Sequence, residues 1–209
     1  MSAKAPDASA KLLFLRQFLR HPRMVGSVIP TSRSAVRALL RPVDWSTVRC
    51  AVEYGPGTGV FTRALLERLE PGARLVAIDP NPLFIAHLRR TITDDRLICV
   101  EGSAADVEQI LADRGIDAAD RIISGLPFST LPPALSDEIV AATRRALRPG
   151  GAFLVYQYSL FLLPLLRRHF EHVTRALVWR CVPPARLFWA TRLAAAADII
   201  SGGESLAAE

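Results

Sequence analysis

The chain has 209 residues, half of them hydrophobic and 22% charged, with a formal net charge of +6. That suffices for one α/β domain with a buried core, leaves no room for a second full domain, and excludes a long disordered chain. The most apolar run, residues 152–166, is interrupted by Gln157, Ser159 and Pro164, so it falls short of the roughly 18 to 20 unbroken residues of a membrane-spanning helix.

Residues 1–10 are small and polar and are expected to be disordered. The opening stretch lacks the apolar block and small-residue cleavage site of a secretory signal, so a cytoplasmic chain is expected. At about 100° per residue, Leu12, Phe14, Leu15, Phe18 and Leu19 share one broad face, with Arg16 and Arg20 opposite and Arg23 just beyond. Such a short amphipathic helix either packs on its own domain or lies in a membrane interface. His21-Pro22 ends it, residues 26–30 read as an extended loop, and a capped helix starts near Thr31 or Ser32 and runs to Leu40.

From Arg49 the rhythm becomes strand, turn, helix. Strands are predicted at 50–53, 75–78, 97–100, 121–124 and 152–158, with helices at 61–69, 82–91, 105–114 and from the loop after 124 to Leu147. Pro149-Gly150-Gly151 is expected to break the chain before the fifth strand, and residues 173–182 and 186–190 read as two strands joined by Pro183-Pro184. Alternation of this kind implies a mostly parallel sheet with helices on both faces and a hairpin at its end. The expected organisation is an N-terminal amphipathic helix and helical cap at 1–48, one α/β domain at 49–193, and a flexible tail at 194–209.

Charge is uneven along this plan. Residues 1–49 hold nine Lys or Arg against two Asp, and Arg167, Arg168, Arg175, Arg180, Arg186 and Arg192 face only Glu171 between 160 and 192. Basic ends around an acidic middle suit a polyanion, either nucleic acid or an anionic lipid surface. Cys50, Cys99 and Cys181 stand far apart among apolar residues and read as buried strand thiols, not as a disulfide frame or zinc site. His169 and His172 sit three apart with no further histidine or cysteine beside them to complete a ligand set, so no metal is expected and a solvated helix end is the reading.

Ligands of a doubly wound sheet bind outside the carboxyl ends of its strands. Past the first strand stands E-Y-G-P-G-T-G, with Glu53, Gly55, Gly57 and Gly59. Alternating glycines allow a sharp turn and close backbone approach to a ligand. A dinucleotide fingerprint needs a further glycine where this chain has Val60, and no G-K-[ST] follows. A ligand with an amino acid end fits better, Glu53 accepting from its ammonium group. Asp79 ends the second strand, where an acid accepts from ribose hydroxyls.

These residues resemble the class I S-adenosylmethionine-dependent methyltransferases, with their acidic-x-G-x-G-x-G loop, acidic second-strand end and final antiparallel hairpin. The resemblance covers residues 50–192 and implies a Rossmann-like, doubly wound, seven-stranded sheet. It implies S-adenosyl-L-methionine as cofactor, with Glu53, Gly55, Gly57 and Gly59 at its methionine part, Asp79 and Pro80 at the ribose, and Gly102, Ser103 and Ala104 at the adenine edge. Many family members carry Asp where this chain has Ser103.

Past the fourth strand, Ser124-Gly125-Leu126-Pro127-Phe128 resembles the N/D/S-P-P-Y/F loop of amine methyltransferases, which implies that its carbonyls and polar side chain accept from the substrate amine. Tyr156 or Tyr158 could assist by hydrogen bonding or cation–π contact. The acceptor is then adenine in ribosomal RNA or the amine of phosphatidylethanolamine, with a small-molecule methyltransferase and a non-catalytic module as further alternatives. Residues 26–33, G-S-V-I-P-T-S-R, resemble a G-A-I-x-P-S-S-R segment of the bacterial phospholipid N-methyltransferases, as do the S-G-L-P loop and Pro183-Pro184-Ala185. The resemblance therefore implies a peripheral enzyme on anionic membrane at the inner face of the cell membrane. Its first helix is the anchor through Leu12, Phe14, Leu15, Arg16, Phe18, Leu19, Arg20 and Arg23, and nucleic acid is not the expected partner.

Overall fold

The computed structural model describes residues 33–179 and 183–193. The amphipathic segment from Leu12 to Arg23, the 26–32 stretch, Cys181 and the tail at 194–209 lie outside the described residues.

The helix that leads in, α1 (Arg33–Leu40), precedes an alternating series. It comprises β1 (Cys50–Tyr54), α2 (Val60–Leu66), β2 (Arg74–Asp79), α3 (Pro82–Thr91), β3 (Leu97–Glu101), α4 (Val107–Ala112) and β4 (Ala119–Ser124). There follow α5 (Pro133–Ala146), β5 (Leu147–Gln157), α6 (Leu163–His169), β6 (His172–Val178) and β7 (Ala185–Thr191). The seven strands form one sheet in the order β3-β2-β1-β4-β5-β7-β6. The first five are parallel, and β7 runs antiparallel to both β5 and β6. The expected architecture is therefore the one found.

Every residue of β1 is buried, which is why C-A-V-E-Y carries no polar-apolar alternation: a parallel strand is covered on both faces. On one face Val52, Tyr54, Ile122, Phe153 and Phe188 pack with Val107, Ile139, Val140 and Leu166 of α4, α5 and α6. On the other, Ala51, Leu75, Ile123, Leu154 and Leu187 pack with Ala35, Leu39 and Leu65 of α1 and α2. Among the polar groups drawn inside, the Tyr54 hydroxyl lies 3.1 Å from that of Thr143, and the Trp189 and Trp45 indoles donate to the Leu39 and Leu40 carbonyls at 2.9 and 3.0 Å. Buried Asp120 accepts the backbone N–H groups of Arg49 and Cys50, each at 2.7 Å, and pairs with the Arg148 guanidinium. It thus ties the starts of β1, β4 and β5, and losing it would orphan two donors at about 1–3 kcal/mol each.

Several local expectations change. The predicted 105–114 helix is split, because Ser103 caps a 3-10 turn at Ala104–Asp106 before α4 begins. Pro149-Gly150-Gly151 does not end the strand. It lies inside β5 as a bulge, where Ala119 pairs with Leu147 but Arg121 pairs with Ala152, and the Gly150 N–H donates to the Arg192 carbonyl at 2.7 Å. His169 is no bare helix end, since its Nε2 lies 3.0 Å from Asp137 Oδ1. That carboxylate comes from α5, 32 residues away, a distance that no local pattern spans. Cys50 is buried on β1 and its thiol is pushed up to about 12 by burial, whereas Cys99 on β3 is only half-buried. No helix among the described residues is long and apolar enough to cross a membrane.

Candidate active site

The strand order reverses between β1 and β4, which lie side by side with Tyr54 opposite Ser124. Ligands of open α/β sheets bind at such a switch point, and the two loops expected to carry the chemistry both leave the sheet here. The Gly125 N–H donates to the Tyr54 carbonyl at 3.3 Å, closing the gap between them.

In the GPGTG loop all three glycines have positive φ: 66° at Gly55, 53° at Gly57 and 84° at Gly59. A Cβ on Gly55 would stand 2.9 Å from Leu126 Cδ2, so the first glycine lets the two loops pack together. Arg63, one turn into α2, holds the loop by donating to the Thr58 and Gly59 carbonyls at 3.0 and 3.2 Å. Glu53, at the end of β1, is 2% exposed and accepts from the Thr62 hydroxyl at 2.7 Å. Burial pushes its carboxyl up to about 8, with the Asp79 charge adding and the Thr62 hydroxyl opposing.

Asp79 ends β2 and is also buried. Its Oδ1 accepts the Asn81 N–H at 2.8 Å, and a second backbone donor comes from Gly57. Burial raises its carboxyl to about 6 against these two donors. Pro80 is half-buried beside it, and the Asp79 carbonyl accepts the Gly102 N–H at 3.1 Å, linking the ends of β2 and β3. Ser103 faces its own turn: its hydroxyl accepts the Ala105 N–H at 3.2 Å. Ala104 is buried below.

The loop after β4 is braced from within. Ser124 is fully buried, and its hydroxyl accepts the Leu126 N–H at 3.1 Å. The Leu126 carbonyl accepts both the Phe128 N–H at 2.9 Å and the Gln157 side-chain amide at 2.5 Å. The Pro127 carbonyl takes the Thr130 N–H and hydroxyl at 2.9 and 2.8 Å, and Phe128 is buried under the loop. Tyr156 lies within the core, edge-on to Phe61 with ring centroids 6.0 Å apart, and its hydroxyl is 2.6 Å from that of Tyr158.

Among the described residues no cluster of three His, Cys, Asp or Glu side chains is placed to hold a metal. A separate cavity of 520 Å³, lined by Arg41, Arg121, His172 and Trp189 among others, opens at the amino ends of β4 and β5, away from all of these loops.

Comparison with known proteins points the same way. Residues 51–151 match the family described as a methyltransferase domain. The ornithine lipid N-methyltransferase of Singulisphaera acidiphila is 32% identical over 183 residues, covering 85% of this chain and 93% of that protein. The chain belongs to the class I S-adenosylmethionine-dependent N-methyltransferases. A small-subunit ribosomal RNA methyltransferase A from Burkholderia is 38% identical over 134 residues, but the match takes in only 48% of that enzyme. Among solved structures, the N-methyltransferase NodS of Bradyrhizobium japonicum with S-adenosylhomocysteine superposes with a TM-score of 0.66 at 16% identity, covering 84% of this chain and 97% of NodS. The 1,6-didemethyltoxoflavin N1-methyltransferase of Burkholderia thailandensis superposes with a TM-score of 0.64 at 18% identity, covering 93% of each chain.

The residues of the methyltransferase fit its cofactor. Around the position where Gly57 lacks a Cβ no atom lies within 4 Å, so the turn presents bare backbone to open space. Asp79 uses two backbone donors, whereas a carboxylate offers roughly four acceptor sites, which leaves capacity for a pair of hydroxyls. Glu53 likewise takes two donors, the Thr62 hydroxyl and the Thr62 backbone N–H, of roughly four acceptor sites.

Sequence reasoning passed over three residues that shape this site. Thr62 holds the Glu53 carboxyl, Asn81 supplies a donor to Asp79 while its side chain caps α3, and Gln157 pins the loop after β4. Asn81 followed by Pro82 is a readable helix start, and Gln157 is a polar residue ending an apolar strand. Nothing local marks Thr62.

Proposed function

We propose that this methyltransferase transfers methyl groups to the headgroup amine of a membrane aminolipid, with phosphatidylethanolamine as the acceptor and successive rounds leading towards phosphatidylcholine. The observation that carries the reading is the 32% identity with a lipid N-methyltransferase along 93% of that protein, against less than half of the ribosomal RNA enzyme. The acceptor named for that relative, ornithine lipid, also presents an amine on a membrane lipid and is the one alternative that a specific observation favours.

When bound, S-adenosylmethionine supplies a methyl group on a sulfonium, which an amine displaces directly, so the protein's tasks are in-line positioning and exclusion of water. In our reading Glu53, Gly55, Gly57 and Gly59 hold its methionine end, Asp79 and Pro80 its ribose, and Gly102, Ser103 and Ala104 border its adenine. The Ser103 hydroxyl accepts the Ala105 N–H, so its own O–H is left to donate to the adenine edge. Ser124, Leu126 and Pro127 stiffen the acceptor loop, and the Gly125 carbonyl, just past the sheet ladder, accepts from the amine. In our reading the headgroup nitrogen gives its proton to water before it attacks, because only the neutral amine carries a lone pair, and the C–S bond breaks as the N–C bond forms. Tyr156 with Tyr158, their hydroxyls 2.6 Å apart at the end of β5, is the pair we assign to assist it by hydrogen bonding.

On this reading the first helix is a peripheral anchor at the inner face of the cell membrane, with Leu12, Phe14, Leu15, Phe18 and Leu19 among the acyl chains and Arg16, Arg20 and Arg23 at anionic phosphates, each worth about 1 kcal/mol. The test is transfer of labelled methyl to anionic vesicles containing phosphatidylethanolamine, with ornithine lipid vesicles and bulk RNA in parallel. Label in phosphatidylethanolamine is the expected result; label only in ornithine lipid would move the acceptor, and label only in RNA would overturn the lipid reading. Removing residues 1–20 is expected to abolish sedimentation with these vesicles and leave S-adenosylhomocysteine binding intact. A truncated chain that still sediments would refute the anchor.

A further inference from the structure

Among the described residues the exposed apolar side chains gather in one place. Of the six large ones among the described residues, Val60, Leu83, Leu160, Phe161 and Trp179 all lie at the carboxyl edge of the sheet, and only Leu193 lies at the other end. Val60 opens α2 and Leu83 lies in the first turn of α3, both directly after the proposed cofactor loops. Leu160 and Phe161 follow β5 and are 40% and 48% exposed. Trp179 follows β6, which runs parallel to β5 because both are antiparallel to β7, and it is 75% exposed.

The segment after β5 separates into two parts. Leu162, Leu163 and Leu166 are buried against the sheet, so the core accounts for them, whereas it leaves Leu160 and Phe161 outside. The hairpin beside them is basic. Residues 172–191 contain Arg175, Arg180 and Arg186 and no Asp or Glu, and Arg186 sits opposite Leu177 near the end that carries Trp179. A tryptophan and two bulky apolar side chains next to arginines are the composition that settles at the boundary between acyl chains and anionic headgroups. A concentration of such residues on one edge is what a membrane contact requires and what a freely soluble surface avoids.

We propose that the carboxyl edge of the sheet itself docks on an anionic bilayer, with Leu160, Phe161 and Trp179 entering the headgroup region. The inference rests on the lipid-methylating reading and deepens it. Docked this way, the mouth between β1 and β4 faces the membrane, and a headgroup amine reaches the loop after β4 without its lipid leaving the bilayer. The N-terminal helix then supplies tethering, while this edge supplies orientation.

Tryptophan fluorescence of the full-length protein on vesicles of phosphatidylethanolamine, phosphatidylglycerol and dibrominated phosphatidylcholine tests this directly. Trp45 and Trp189 are half-buried, with their indoles held on α1 carbonyls, so bromine quenching should come from Trp179 and disappear in Trp179→Phe. A variant combining Leu160→Ser, Phe161→Ser and Trp179→Ser alters only exposed positions. It should bind the vesicles at least about tenfold more weakly while binding S-adenosylhomocysteine with unchanged affinity. Quenching that survives Trp179→Phe, or a triple variant that binds vesicles like the parent, overturns the proposal. Quenching at Trp179 without methyl transfer to any lipid supports the docking edge and refutes the substrate reading, so the two failures are distinguishable.

Discussion

Replacing Asp79 by alanine is expected to weaken S-adenosylhomocysteine binding by about a hundredfold or more in calorimetry. Two hydrogen bonds from ribose hydroxyls to an ionised carboxylate are worth about 1.5–3 kcal/mol each, and about 3 kcal/mol corresponds to that factor. The loss extends past the ribose. The same carboxylate accepts the backbone N–H groups of Asn81 and Gly57, so its removal also frees the glycine turn that cups the methionine end. Asp79→Asn keeps an acceptor for those donors and should lose less. The ionised form is the one that binds hydroxyls, and the Asp79 carboxyl is raised to about 6, so parent affinity should decline as pH falls through about 6. An unchanged dissociation constant in Asp79→Ala would remove this residue from the pocket.

Glu53→Gln separates binding from stability. Burial lifts the Glu53 carboxyl from an ordinary 4.5 to about 8. Between those values the folded chain retains a proton that the unfolded chain has released, so stability is greatest below about 4.5, falls as pH rises, and levels off above about 8. Glutamine keeps an acceptor for the Thr62 hydroxyl and has no charge to desolvate. The variant should therefore melt like the parent near pH 5 and be more stable near pH 8, by an amount on the order of a few kcal/mol. Cofactor binding should move the other way. An ammonium group beside Glu53 favours the carboxylate, so parent affinity rises towards pH 8, and the variant should bind about tenfold more weakly there. Equal pH dependence of melting in both proteins would show that Glu53 carries no desolvation cost.

Much of the plan was readable in advance because it rests on local chemistry. The strand expected at 50–53, the helix at Pro82–Thr91 and the acid closing β2 follow from apolar runs, a proline at the helix start and a turn, and the strand runs one residue further, to Tyr54. The alternating glycines announced a turn with positive φ, since side chains disfavour that conformation. Pro149-Gly150-Gly151 misled for the converse reason: a bulge and a break use the same residues, and only pairing with β4 and with Arg192 decides between them.

The sequence by itself therefore determined the class of fold, the order of its elements and the residue types at each strand's carboxyl end, because these depend on periodicity and on neighbours within a few positions. Tertiary structure alone decided what those residues face. Ser103 and Ser124 are turned into their own loops, and Tyr156 lies in the core. Gln157 reaches back 31 residues to hold the acceptor loop, and His169 meets an acid 32 residues away. Exposed apolar side chains gather at one edge because β5 and β6 run the same way on either side of β7. Hydrogen-bond partners and exposure are set by packing between segments distant in the chain, and no local pattern encodes the distance between them.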